Sequence, residues 1–346
     1  MEATPFAELS EKDQVERLAA LARRALAAWE LPEARLEPIK YRENCVFAVT
    51  DASGARSVLR VERPRYRSDA QLRSEAAWMR ALAAGGVPTP AVIPTRASDV
   101  VAQAGAEGVP EPRQCVRFEW VEGAPLGTLE HGVALTGTAL RDSYATVGEI
   151  AGRIHEHGAG WTRPPQFDRI AWDVDSLVGE EPAFGRFWEE PALDTARRDL
   201  CLRARDRARA RLQALDPPRT LIHGDLIPDN LLVSGSAVRV IDFDDCGFSW
   251  RGFELVTSLF PLLVSGGFGT GLEGYLEGYR RVAPFPDAER ADLSTFVMAR
   301  ALSYLGWPVG RPEIHSQQPL APFLAARVSE LAERYLADEP LAPGLG

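Results

Sequence analysis

Lysine is almost absent from this chain of 346 residues. Only Lys12 and Lys40 occur, and neither follows a glycine. A Walker-type phosphate loop needs a Gly-Lys-Ser or Gly-Lys-Thr step, so the sequence excludes that way of holding a nucleotide. Any cation that contacts phosphate is therefore expected to be an arginine, whose planar guanidinium meets phosphate or carboxylate with two parallel hydrogen bonds.

Cysteines and long apolar runs are also scarce. The most apolar stretch, Leu255–Val264, is too short to span a bilayer, which argues against a membrane protein. The acidic N-terminus has no apolar core of a signal peptide. The four cysteines form no CxxC pair, so we expect free thiols, no zinc site and a cytoplasmic protein. They are Cys45, Cys115, Cys201 and Cys246.

An excess of basic residues is missing as well. The chain has 49 acidic and 39 basic residues and a formal net charge of −10. A nucleic-acid partner held by the overall electrostatic field is therefore not expected. The apolar content of 45% and the charged content of 25% are typical of a globular protein.

Hydrophobic periodicity predicts an α+β fold, in which a small sheet with one helix precedes a mainly helical part. A helix from Glu11 to Trp29 is followed by strands in LEPIKY, NCVFAVT and SVLRVERP, a helix at Asp69–Ala84, and strands at Val100–Ala104 and Gln114–Trp120. After Gly123 the pattern becomes mainly helical. The further helices are predicted at Ser143–His157, Glu190–Leu215, Phe253–Leu263, Gly271–Arg281, Glu289–Leu305 and Leu320–Leu336.

The boundaries that we predict are a helical extension at 1–32, an N-terminal lobe at 33–117, a hinge at 118–123 and a C-terminal lobe at 124–346.

The segment HGDLIPDN, residues 223–230, and the following VIDFDD carry the strongest chemical signal. Two carboxylates and a carboxamide lie at the spacing of a phosphoryl-transfer site. Asp225 is the candidate catalytic base for an attacking hydroxyl. Asn230 and Asp242 are candidate ligands for the magnesium that neutralises ATP phosphates. The metal-binding segment is predicted at 242–245.

A hairpin is expected to bring the two metal ligands together. Apolar and β-branched residues at 231–233 and 238–241 flank a Ser-Gly-Ser-Ala turn. Folding the chain about Ser236 would place Asn230 opposite Asp242. Opposed side chains on antiparallel strands have Cβ atoms only about 5 Å apart, so one cation would reach both.

The N-terminal lobe offers a candidate clamp for the nucleotide. Arg60 in the strand SVLRV would contact the phosphates, and Glu75 in the following helix would hold Arg60, although Arg63 competes for the phosphate role. Asn44, between the first two strands, is either a phosphate donor or a turn residue.

The junction FEWVEG offers backbone groups for adenine. The Glu119 carbonyl and the Val121 N–H are the expected contacts, with Phe118 lining the site.

These segments together resemble the aminoglycoside phosphotransferase and choline kinase-like family, from about Leu36 to Arg311. Within it, the chain is most similar to the branch of type II homoserine kinases, hydroxylysine kinases and bacterial stress-response Ser/Thr kinases. The resemblance implies a bilobal protein-kinase-like fold, Asp225 as the base, Asn230 and Asp242 on magnesium, and Arg60 paired with Glu75.

The chain departs from the family pattern at three positions. Arg60 stands where lysine is usual, and Phe243-Asp244 follows Asp242 in place of Phe-Gly, so that Asp244 would reach either the metal or the acceptor. Glu254 replaces a common aspartate and is expected to keep its supporting hydrogen bonds.

The expected activity is an ATP- and Mg2+-dependent transfer of phosphate to the hydroxyl of a small molecule: an amino alcohol, a hydroxy-amino acid or an aminoglycoside. A Ser/Thr kinase acting on a protein or peptide is the first alternative. A nucleotide-binding pseudokinase is the second.

His223 is expected to stiffen the loop by bonding to the backbone near Asp242. His155 is expected to be a satisfied structural histidine.

Overall fold

The computed structural model describes residues 5–128, 131–215, 219–312 and 320–345. Contacts divide these residues into two compact units. The first unit contains residues 5–122 and 163–168, and the second contains the rest. Residues 163–168 belong to the first unit, whereas the chain on either side of them belongs to the second. They are tied to the first unit where the Asp168 N–H donates to Ser74 Oγ at 2.9 Å.

An N-terminal helix, α1 (Glu11–Ala25), opens the first unit. The Ser10 hydroxyl accepts a hydrogen bond from the Asp13 N–H at 3.2 Å, which satisfies one of the unpaired donors of the first turn. A 3-10 turn at Leu26–Trp29 completes the helix. The predicted span of Glu11–Trp29 is therefore confirmed, with a tighter last turn.

A six-stranded antiparallel sheet and one helix follow. These elements are β1 (Arg35–Tyr41), β2 (Cys45–Thr50), β3 (Arg56–Val61), α2 (Asp69–Ala84), β4 (Val92–Ile93), β5 (Val101–Ala104) and β6 (Arg113–Glu119). The strands are ordered β1-β2-β3-β6-β4, and β5 also pairs with β6. Leu21 and Leu26 from the N-terminal helical segment pack with Phe47 and Leu59 of the sheet in the core of this unit.

The second unit is mainly helical, so the α+β class is confirmed. Its elements are β7 (Ala124–Pro125), α3 (Gly137–Gly160), α4 (Val174–Val178), α5 (Thr195–Ala214), β8 (Thr220–Ile222), β9 (Leu231–Ser234), β10 (Ala237–Val240), β11 (Gly247–Ser249), α6 (Arg251–Leu259), α7 (Pro261–Ser265), α8 (Phe268–Arg280), α9 (Asp287–Ala291), α10 (Leu293–Gly306) and α11 (Ala321–Leu336). Two small sheets, β10-β9-β7 and β11-β8, hold the loops of the candidate site.

Two predicted helices are each divided in the structure. The predicted Phe253–Leu263 becomes α6 and α7 because Pro261 lacks an N–H and opens a new helix. The predicted Glu289–Leu305 becomes α9 and α10, since Asp292 leaves the helical conformation at φ −105° and ψ 18°. The end of the predicted helix at Glu190–Leu215 borders Pro217-Pro218, which lie outside the described residues.

Helices α3 and α8 approach closely through glycines. A Cβ atom at Gly278 would overlap the carbonyl oxygen of Ala145, and one at Gly148 would overlap that of Tyr275. The helices therefore pack backbone against backbone along this seam.

All four cysteines are free thiols, as predicted, and the structure buries each of them. Cys45 and Cys115 lie in the first unit, whereas Cys201 and Cys246 lie in the second.

Candidate active site

The loop from His223 to Asn230 follows β8 directly. The His223 ring contacts both this loop and the segment before Asp242. Its Nδ1 accepts the Asp225 N–H at 3.2 Å, and its Nε2 lies 3.0 Å from the carbonyl oxygen of Ile241. Because Nδ1 accepts, Nε2 is the nitrogen that donates. The structural role predicted for His223 is confirmed, since its ring joins the Asp225 loop to the segment before Asp242.

Glu254 on α6 binds the backbone of the same loop. Its two carboxylate oxygens accept the N–H groups of His223 at 2.7 Å and Gly224 at 2.8 Å, and the side chain is fully buried. Burial opposes the charge, but the hydrogen bonds that Glu254 accepts, including the one from the Gly224 N–H, lower its pKa. The expectation that glutamate keeps the supporting hydrogen bonds is confirmed.

His155 lies beside this carboxylate and is fully buried. Its Nδ1 is 3.1 Å from the Tyr279 hydroxyl, and its Nε2 is 3.7 Å from Glu254 Oε1. Burial lowers the pKa of His155, which favours the neutral ring. The bond to Tyr279 agrees with the structural histidine that the sequence predicted.

Asn230 holds Asp225 at the other end of the loop. Its Nδ2 donates to the Asp225 backbone carbonyl and to Asp225 Oδ2, both at 2.9 Å. Asn230 lies in a 3-10 turn, Pro228–Asn230, and is buried. The carboxamide nitrogen of Asn230 therefore faces Asp225.

The hairpin forms, but its register differs from the prediction by one residue. Val240 pairs with Leu231, and the Ile241 N–H donates to the Asn230 carbonyl at 3.0 Å. Asn230 is therefore opposite Ile241 and not opposite Asp242. The difference arises because Gly235-Ser236 alone forms the turn, with Gly235 at φ 61°.

Asp242 itself adopts the left-handed conformation, with φ of 64°. This conformation is rare for a residue with a side chain, and such residues are concentrated at functional sites. The chain therefore leaves the strand at Asp242, and the alternation of a regular strand does not set the direction of its side chain.

The segment after Asp242 is fixed through its backbone. The Arg169 guanidinium donates to the Cys246 carbonyl at 2.7 Å and also to that of Asp244, while Trp172 Nε1 donates to the Asp245 carbonyl at 2.7 Å. Gly224 meets this segment so closely, at φ 84°, that a Cβ there would overlap the Asp245 carbonyl. The two loops that carry Asp225 and Asp242 are thus packed together.

Arg300 on α10 contacts the candidate base, and sequence reasoning missed it. Its Nη2 donates to Asp225 Oδ1 at 3.0 Å and to the Tyr304 hydroxyl at 3.2 Å. The side chain is only 4% exposed. Arg300 and Asp225 are 75 residues apart, and no local pattern joins them.

In the first unit, Arg60 and Glu75 form the pair that the sequence predicted. Arg60 Nη1 and Nη2 donate to the two oxygens of Glu75 at 3.0 and 2.9 Å. A second carboxylate, Glu62, accepts from Arg60 Nε at 2.6 Å, and all three side chains are buried. Glu62 was missed, although residues two apart on a strand share a face and would have indicated it.

The other predicted contacts of the first unit lie near the sheet. Asn44 is buried, and its Oδ1 accepts the Arg63 N–H at 2.9 Å, which ties the turn after β1 to the end of β3. Phe118 and Glu119 end β6, and Val121 follows in the loop. The Phe118 ring lies 5.0 Å from the Arg60 guanidinium carbon.

The part of the chain that the structure describes contains no group of three or more His, Cys, Asp and Glu side chains that could hold a metal ion. None of its helices combines the length and apolar character that a membrane crossing requires.

The model of the phosphotransferase enzyme family matches residues 35–293. This chain belongs to that family. The phosphotransferase is 32% identical to a solved structure of a microcompartment-associated aminopropanol kinase, over 92% of this chain and 98% of that one, with a TM-score of 0.81.

More distant proteins share its fold or part of its sequence. The amicoumacin kinase hAmiN, solved in complex with AMP-PNP, Ca2+ and Ami, superposes with a TM-score of 0.74 at 18% identity, over 96% of this chain and 98% of that one. An uncharacterised Deinococcus radiodurans protein is 29% identical over 293 residues, which cover 80% of this chain and 78% of that protein. Family and fold together identify the phosphotransferase as an enzyme with an alcohol group as acceptor.

Proposed function

We propose that this phosphotransferase is a kinase that uses ATP and Mg2+ to phosphorylate the hydroxyl group of a small molecule. The acceptor class is an amino alcohol, a hydroxy-amino acid or an aminoglycoside, and amino alcohols are the best-supported class of the three. The support for that order is the 32% identity to an aminopropanol kinase over nearly the whole chain.

The observation that carries the proposal is the double hydrogen bond from Asn230 to Asp225. It restrains the carboxylate of Asp225 through both its backbone carbonyl and its Oδ2. A carboxylate held in this manner would accept the proton of an attacking hydroxyl.

Asn230 and Asp242 are the residues that would hold magnesium. Both offer the oxygen ligands that magnesium prefers, and two protein ligands suit an ion that takes the rest of its shell from water and phosphate. The bound ion would offset negative charge on the phosphates.

Nucleotide binding in the first unit would use Arg60, held by Glu75, for the phosphates. Arg63 remains the competitor for that role, and Asn44 would donate through its carboxamide nitrogen. Phe118, the Glu119 carbonyl and the Val121 N–H would bind adenine. Two carboxylates already bond Arg60, so its hold on phosphate would be weaker than that of an unopposed cation.

The test is ADP release from magnesium-ATP with a panel of amino alcohols, hydroxy-amino acids, aminoglycosides and Ser/Thr peptides. Turnover on at least one small alcohol is expected. Stimulation by peptides alone would replace the small acceptor with a protein, and nucleotide binding without turnover on any acceptor would favour a pseudokinase.

Asp225→Asn is the matched variant for this assay. The amide keeps the shape of the side chain but cannot accept a proton, so kcat should fall by about 10²–10⁴-fold, the usual contribution of a general base. Nucleotide affinity should persist. Full activity of this variant would refute the assignment of Asp225.

A further inference from the structure

The ion pair between Arg300 and Asp225 lies where burial makes two charges costly in free energy. Arg300 is 4% exposed, and the carboxylate that it meets is 25% exposed. Removing two charges from water costs about as much as, or more than, their attraction returns, so a buried ion pair is a poor means of stabilising a fold. The pair therefore calls for a role other than stability.

The guanidinium has little freedom to leave this position. Aromatic rings surround it: the ring centroids of Tyr304, Phe184 and Phe253 lie 4.5, 5.6 and 5.8 Å from its central carbon. The Tyr304 hydroxyl lies 3.2 Å from the same Nη2 that bonds Asp225. Helix α10 therefore presents a rigid donor to Asp225.

Arg300 completes the restraint on the candidate base. Asn230 bonds Oδ2 of Asp225, and Arg300 bonds Oδ1. A donor on each oxygen restrains the plane of the carboxylate against rotation about the last side-chain bond.

We propose that Arg300 is a positioning residue that fixes the orientation of the Asp225 carboxylate toward the acceptor hydroxyl. The proposal rests on the proposed function, since it assumes that Asp225 is the base. A misplacement of about 1 Å in a reacting group can cost about 10²-fold in rate, so the loss of this restraint should act on kcat.

The test compares steady-state kinetics and nucleotide binding of full-length Arg300→Met with those of the parent enzyme. Methionine fills much of the arginine stem but donates no hydrogen bond. We expect kcat to fall by about 10²-fold, with the dissociation constant of ATP unchanged. Arg300→Lys, which restores a cationic donor, should recover part of kcat.

Two controls separate positioning from folding. Arg205→Met removes another buried arginine of the second unit, one that pairs with Asp206 and Glu180, and should leave kcat unchanged. Tyr304→Phe removes the neighbouring hydroxyl but keeps the ion pair and the ring, so its loss of kcat should be smaller than that of Arg300→Met. Thermal unfolding of each variant reports whether it folds; if Arg300→Met does not fold, Arg300→Lys and Arg300→Gln carry the comparison.

Three outcomes would overturn the proposal. One is parental kcat in Arg300→Met. Another is a loss of kcat that Arg205→Met reproduces or that accompanies equal loss of ATP binding. The third is an active Asp225→Asn variant, which would also refute the proposed base. If Asp225→Asn is inactive while Arg300→Met retains kcat, the positioning role alone fails and the proposed function stands.

Discussion

A single carboxylate, Glu254, accepts two consecutive backbone N–H groups of the loop that carries Asp225. Both donors are buried with it, and the loop places Gly224 in the left-handed region at φ 84°. The conformation of the loop therefore depends on an acceptor supplied by another element, helix α6. Removal of this carboxylate should therefore lower the free energy of unfolding.

Glu254→Ala should lower the free energy of unfolding by about 3 kcal/mol, because each buried donor left without an acceptor costs about 1–3 kcal/mol. Glu254→Gln should cost less, since one oxygen remains. Chemical denaturation measures both. Glu277→Ala, which removes an exposed carboxylate on α8, serves as the control and should stay within about 0.5 kcal/mol; an equal loss in the control would contradict the argument.

At the residue scale, the sequence predicted those site residues whose roles follow from their types and their short separations along the chain. The HGDLIPDN loop and the Arg60–Glu75 pair were found because each residue type matched a chemical role at a known separation. Arg300 was not found, because its partner lies 75 residues earlier and only the packing of α10 joins them. Asp242 was found, but its left-handed backbone was not, and that conformation changes how its side chain is presented.

Helices α3 and α8 can pack this closely because glycines, which have no side chain, lie at their contact positions. Gly278→Ala would place a methyl group into the Ala145 carbonyl and force the helices apart. We expect a loss of about 2 kcal/mol or more in the free energy of unfolding, in the range of overpacked cores. Gly160→Ala, at the open end of α3, should be neutral or slightly stabilising, because nothing lies near its Cβ position.

Helix α9 contacts the start of α6 through Glu289. Its Oε2 accepts the Gly252 N–H at 2.5 Å, and the side chain is fully buried. Burial raises the pKa of Glu289 to about 7. The folded protein therefore binds a proton that the unfolded chain releases near pH 4.5.

The raised pKa of Glu289 should make the stability of the folded protein depend on pH. Between about pH 4.5 and 7 the folded state holds more protons at Glu289 than the unfolded state, so the free energy of unfolding should fall as pH rises through this window. The total change is about 3 kcal/mol, from about 1.4 kcal/mol per unit of pKa. Denaturation at pH 5 and pH 8 should show this loss in the parent and a smaller loss in Glu289→Gln; identical slopes would refute it.

At the element scale, periodicity located long helices and strands but not short ones. The span Asp69–Ala84 was predicted to the residue, and in the structure Ser68 caps its start and Gly85 follows its end. The two-residue strands β4 and β7 are too short to show a period of two. The hairpin register was missed by one residue because the turn length, and not the strand composition, sets it.

At the scale of the whole molecule, binding of ligand should raise thermal stability. At a magnesium-ATP concentration 100 times its dissociation constant, the folded state gains about 2.7 kcal/mol. We expect a shift of several degrees in the unfolding temperature, with most of it lost on addition of EDTA. Asp242→Ala should reduce the shift and Asp225→Asn should retain it; an equal reduction in both variants would contradict the division between metal ligand and base.

The pair of buried thiols in each unit has a practical consequence. Cys45 and Cys115 are enclosed by the sheet of the first unit, and Cys201 and Cys246 by the second. Burial raises the pKa of Cys45 to about 12, so this thiol stays protonated and inert until its surroundings open. Alkylation followed by peptide mass spectrometry would therefore time the opening of each half separately, and would show which half a bound nucleotide slows.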